Sequence, residues 1–130
     1  MPSAFATVLN CMDGRVQMPA NEYLRSRFGC TVVDTITEAG IVRFLADAPD
    51  APETRSALEK VRISTAKHGS TQVAVVAHAD CAGNPVSDDV QMDQVRRAAA
   101  LIRQHFPDCE VLPLWLDADG AVHDVPADAG

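Results

Sequence analysis

The sequence predicts an α/β fold of three layers, doubly wound, in which a mostly parallel sheet of about four strands plus a short C-terminal strand carries helices on both faces. Three observations predict it. Short apolar or β-branched runs at 4–10, 31–36, 72–77 and 110–116 alternate with helical segments. The run at 72–77, Gln-Val-Ala-Val-Val-Ala, is apolar almost throughout, as suits a central strand covered on both sides. Strands that alternate with helices are joined by right-handed crossovers and lie parallel. With 130 residues, 47% of them hydrophobic and 22% charged, the chain can bury one core, and residues 1–130 are read as a single domain.

The elements follow in order. Ala4 to Asn10 reads as a buried strand that stops at Cys-Met-Asp-Gly-Arg, where Gly14 permits a turn. A helix is expected after Pro19, with Ala20, Tyr23, Leu24 and Phe28 inward and Gly29 as its stop. Thr31 to Ile36 is the second strand, leading into the loop Thr37-Glu38-Ala39-Gly40. The stretch Ala46 to Thr54, with two prolines and three acids, reads as an exposed loop. From Glu53 a helix with Leu58, Val61 and Thr65 inward runs to His68 and Gly69. After the third strand comes the clearest helical stripe, Met92, Val95, Ala99, Ile102 and Phe106, closed by Pro107. Glu110 to Leu116 is a further strand, and Asp119-Gly120 a turn into a short one at 121–125; the tail 126–130 is expected to fray.

Charge and composition narrow the function. A formal charge of -7 with scattered Lys and Arg repels phosphate backbones, so nucleic acid is not an expected partner. No secretory signal or membrane span is read, and four cysteines in such a chain suggest thiols or metal ligands rather than disulfides; the expected location is the cytoplasm. Cys30 and Cys109, at strand starts, are read as packing residues, and His68, His105 and His123 as peripheral.

Two clusters carry chemistry: Cys11-Met12-Asp13-Gly14-Arg15 after the first strand and His78-Ala79-Asp80-Cys81 after the third. In a doubly wound sheet, ligands bind beyond the C-terminal strand ends where the winding reverses, so both clusters belong to one crevice. Two thiolates and one imidazole suit zinc, and three protein ligands leave a tetrahedral ion one open position. A water there becomes acidic enough to supply a hydroxide nucleophile near neutral pH. Asp13 is placed to orient that nucleophile, and the Arg15 guanidinium to grip Asp13 and hold it off the ion. Asp80 is a candidate to orient His78, and Ala82-Gly83-Asn84-Pro85 offers backbone amides after the last ligand.

Cys11-x-Asp13-x-Arg15 followed by His78-x-x-Cys81 resembles the paired signature of the β-carbonic anhydrases, and the likeness covers nearly the whole chain. It implies Cys11, His78 and Cys81 as zinc ligands, Asp13 and Arg15 as the catalytic dyad, and reversible hydration of carbon dioxide to bicarbonate as the reaction. Hydrolysis of carbonyl sulfide or carbon disulfide uses the same kind of site, and a non-catalytic zinc-binding or regulatory protein, with Asp13 as fourth ligand, is the alternative from another class. The resemblance also implies a homodimer. The sequence departs from the family in starting its first strand almost at once, without the usual N-terminal helices. A glutamine common before the first cysteine has no counterpart, and the usual Arg-Asn-Ala-Gly segment is Thr37-Glu38-Ala39-Gly40. Glu38 would put a negative charge near the crevice, and Met12, Met18 and Phe44 are candidates for its lining.

Overall fold

A computed structural model describes residues 4–126. Its elements are β1 (Phe5–Asn10), α1 (Gly14–Phe28), β2 (Val32–Thr37), α2 (Ile41–Asp47), α3 (Pro52–His68), β3 (Gln72–His78), α4 (Asp88–His105), β4 (Glu110–Leu116) and β5 (Val122–Asp124). They build one five-stranded sheet in the order β2-β1-β3-β4-β5. The first four strands are parallel and β5 runs antiparallel to β4, so the fold is the one expected. No described helix is long and apolar enough to cross a membrane.

The sheet's two faces are packed unequally. On one, Val16, Ala20, Leu24 and Phe28 of α1 cover Ala6, Val8, Ala74, Val76 and Leu114. On the other, α2, α3 and α4 bury Leu9, Val73, Val75, Val111 and Trp115. Alternate residues of β1 and β3 therefore serve opposite layers, which is why those strands are apolar through most of their length. A polar seam stitches α3 to the sheet: the Thr7 and Ser64 hydroxyls lie 2.6 Å apart, and Ser64 donates to Asp34, which also holds His68 at 2.6 Å.

The helix boundaries need correction in three places. Helix α1 starts at Gly14 rather than after Pro19, because Asp13 caps it by accepting from the Arg15 amide at 2.9 Å and Val16 is fully buried. Pro19 then sits in its second turn, where it has no N–H to give the helix. Helix α2 went unread: seven residues are too short to show a period, although Ile41, Val42 and Leu45 are buried. It shortens the loop expected at 46–54 to residues 48–51 and buries Thr54, whose hydroxyl donates to the carbonyls of Ala48 and Phe44 at 2.7 and 3.1 Å. Helix α4 begins at Asp88, capped by Ser87, rather than near Met92. The expected tail lies mostly outside the described residues.

The order of strands fixes where a ligand can sit. From β1 the chain passes outward to β2, then returns across to β3 on the other side, so the winding reverses between β1 and β3. Both chemistry-bearing clusters leave the sheet at the C-terminal ends of these two neighbouring strands.

Candidate metal centre

The fold brings Cys11, His78 and Cys81 together, all three buried, with their ligand atoms within 4.8 Å of one another. The two sulfurs are 3.8 Å apart. That is far too long for a disulfide, and it matches the separation of about 3.8 Å for two sulfurs each ~2.3 Å from a tetrahedral ion. His78 Nδ1 lies 2.9 Å from the Ala79 carbonyl. A carbonyl only accepts, so Nδ1 carries the hydrogen and Nε2 keeps its lone pair. His78 Nε2 is buried without any hydrogen-bond partner, an expense that a bound cation removes. Asn10 Oδ1, next to Cys11, is the other unpartnered buried side-chain atom among the described residues. Burial and then the neighbouring Cys11 sulfur push the Cys81 thiol up, against the amides of Gly83 and Asn84, which favour its thiolate. Two sulfurs this close resist joint ionisation until a divalent cation lies between them. The cluster is thus one that can hold a metal ion.

Beside it, Arg15 grips Asp13 with a fork. Its Nη2 donates to Asp13 Oδ2 at 2.6 Å and its Nε to Oδ1 at 3.1 Å, while its backbone amide also donates to Oδ1. These hydrogen bonds pull the Asp13 carboxyl down to about 2, so it is ionised throughout the neutral range. Gln17, one helical turn on, donates to the carbonyls of Cys11 and Asp13 at 2.8 and 2.9 Å and fixes the whole turn.

The second loop is anchored just as tightly. A side chain on Gly83 would meet the Ala39 carbonyl carbon at 2.8 Å, and one on Gly40 would meet the Gly83 oxygen at 2.5 Å. Only paired glycines let the Thr37–Gly40 loop and the loop after Cys81 touch backbone to backbone. Asn84 donates to Gln94 at 2.6 Å and its carbonyl accepts from Gln91 at 3.1 Å, both glutamines being buried on α4. The anchors Gln17, Gln91 and Gln94 escaped sequence reasoning; for Gln91 and Gln94, polar residues on the inner face of the α4 stripe were the available signal.

A small cavity of about 150 Å³ opens beside the centre, lined by Arg15, His78, Asp80, Leu116 and Asp117 among others. Met12 and Met18 do not line it; they lie exposed on the surface, and Phe44 packs under the Arg43 guanidinium. Asp80 does not reach His78, whose Nδ1 is taken by Ala79; it faces Arg15 instead. His123 is less peripheral than expected, since its Nε2 lies 2.7 Å from Asp117 Oδ2 and Asp117 borders the cavity. Cys30 and Cys109 pack against the apolar clusters, away from the centre. Glu38 is half-buried, its amide tied to the Asn10 carbonyl at 3.3 Å beside the end of β1.

A doubly wound sheet with two thiols and an imidazole gathered at its switch point defines the class: an α/β protein with a buried Cys-His-Cys cluster that can hold a metal ion. Residues 1–126 match the family model described as "Putative carbonic anhydrase", and the chain belongs to that carbonic anhydrase family. No curated protein matches it. Among solved structures, it is similar to a carbonic anhydrase from Streptococcus mutans, with 18% identity and a TM-score of 0.66 over 96% of this chain and 82% of that one. A β-carbonic anhydrase from Trichomonas vaginalis gives 12% identity and the same TM-score over 95% and 82%. One of two tetrameric β-carbonic anhydrases from Sordaria macrospora gives 12% and 0.54 over 98% and 84%. At such identities these likenesses establish the β-carbonic anhydrase fold.

Proposed function

We propose that the chain is a zinc enzyme hydrating carbon dioxide reversibly to bicarbonate, with Cys11, His78 and Cys81 as the metal's protein ligands and Asp13 and Arg15 as its catalytic pair. The observation that carries this reading is the buried, unpartnered His78 Nε2 facing two sulfurs at tetrahedral spacing. Zinc held there supplies a Lewis acid that makes a coordinated water acidic. The protein's own residues do the rest. Asp13, kept anionic, accepts the hydrogen of the attacking oxygen and aims its lone pair at the carbon. Arg15 occupies both Asp13 oxygens and so keeps the carboxylate off the ion, which favours the enzyme over the closed, non-catalytic alternative. A cavity lined by the Arg15 guanidinium and the Asp80 and Asp117 carboxylates opens beside the cluster, with room for a small substrate.

The test is carbon dioxide hydration by the zinc-loaded protein, followed with a pH indicator from neutral to alkaline pH. The expected result is catalysis that rises with pH, with no acid limb from Asp13 because its carboxyl titrates near 2. A zinc-loaded protein inert even at alkaline pH would favour the non-catalytic reading, and sulfide release from carbonyl sulfide in its place would favour the sulfur substrate. We further propose that the whole chain works as one domain in the cytoplasm, where its four free thiols stay reduced. It would do so as a homodimer, for which the outer edge strand β2 with Val32 exposed offers a pairing surface; a solution mass of one chain only would refute the dimer.

A further inference from the structure

Arg15 has a second set of contacts that the dyad does not require. Its Nη2 donates to the Asp80 carbonyl at 3.1 Å, and its Nη1 lies 3.4 Å from Asp80 Oδ2. Asp80 sits between His78 and Cys81, and it is the one non-glycine residue with positive φ, +57°, among the described residues. That left-handed conformation costs a side-chain-bearing residue energy unless the surroundings hold it. Aspartate tolerates it better than most residues do.

The contact is directional. A guanidinium has five N–H groups in a fixed plane. Turned toward Asp13 alone, Arg15 is an exposed side chain free to swing; bonded also to the Asp80 carbonyl, it spans the loops after β1 and β3 and is fixed at two points. The carbonyl is the shorter contact, while the Asp80 carboxylate is largely exposed and its pairing with Arg15 is long. The backbone turn at Asp80, more than its charge, therefore supplies the second anchor.

We propose that Asp80 is a positioning residue: its left-handed turn presents the carbonyl that locks Arg15, and through Arg15 it keeps Asp13 turned away from the metal position. This rests on the metal reading above. When the turn is lost, Arg15 is released, Asp13 is free to ligate the ion, and the position open to an external ligand closes. The fraction of open sites then falls, and the apparent affinity for any exogenous metal ligand falls with it.

Cobalt(II)-loaded protein tests this through azide binding, read from the visible absorption of the metal rather than from turnover. Asp80→Gly and Asp80→Asn both accept positive φ, one without a side chain and one without the charge. Both should bind azide within about twofold of the wild type. Asp80→Val, β-branched and hostile to that region, should weaken azide about tenfold, the scale of one lost hydrogen bond to a charged group. Asp80→Ala should fall between, and it decides the matter if the valine variant does not fold. Equal azide affinity in wild type and the valine or alanine variant would overturn the proposal. So would a glycine variant as weak as valine, since the carboxylate rather than the turn would then be at work. A wild type that takes up no cobalt would instead overturn the metal reading beneath it, and the proposal with it.

Discussion

Cys81→Ser is expected to abolish zinc binding at the centre while leaving the fold standing. In the proposed site the thiolate at this position would supply one of two negative charges facing the cation, whereas a serine hydroxyl neither ionises at neutral pH nor suits zinc. The loss should exceed the ~10–100-fold that outer-shell changes cost in metal affinity. The loop carrying Cys81 is anchored independently, through the Gly40–Gly83 backbone contact and through Asn84 with Gln91 and Gln94. Circular dichroism should therefore stay that of the wild type while zinc per chain, by elemental analysis, drops from one toward zero. Retention of full zinc by the serine variant would remove Cys81 from the ligand set.

Arg15→Ala carries the second large effect, and it acts on the reaction rather than on the metal. Without the fork, Asp13 loses three of its four hydrogen bonds from this residue and keeps only the backbone one. The carboxylate is then free to turn onto the ion. Hydration of carbon dioxide should fall by about 10²–10⁴-fold, the range a positioned acid–base group contributes, with zinc content unchanged. Arg15→Lys should be nearly as poor, because a point charge on a flexible stem cannot engage both Asp13 oxygens and the Asp80 carbonyl together. In the zinc-free variant the Asp13 carboxyl should also titrate closer to its ordinary value. The sign follows from its depressed folded-state position: the stabilisation from this pair is present above the ordinary carboxylate range and is lost as pH falls toward about 2. For so exposed a pair that stability effect is small, so activity is the readout that matters. Unchanged hydration in Arg15→Ala would mean that Asp13 needs no holder.

Much of this arrangement was legible in the sequence, and the reasons are local. The β1 and β3 runs announce buried parallel strands, and in a doubly wound sheet the ends of such strands are where chemistry gathers. That alone places Cys11 beside His78 and Cys81 across a separation of some seventy residues. Asp13 and Arg15 follow from adjacency, being two residues apart at one helix start. What stayed hidden depended on contacts that pattern does not encode. Helix α2 is shorter than the window in which a helical period shows. Pro19 suggests a helix boundary, yet the Asp13 cap lies six residues before it and overrides it. In sequence Gly40 and Gly83 are read only as members of two separate loops, whereas in the fold each is needed because the backbone of the facing loop leaves no room for a side chain. Asp80 reads as a neighbour of His78, and only its left-handed turn sends its carbonyl toward Arg15 instead.

The account depends on one cation shared by Cys11, His78 and Cys81, and zinc X-ray absorption on the purified protein tests it most directly. The predicted fine structure contains two sulfur scatterers at about 2.3 Å and one imidazole nitrogen at ~2.0–2.1 Å, with one further light atom completing four-coordination. Zinc coordinated by four sulfurs, by nitrogen and oxygen alone, or absent from the folded protein would contradict it.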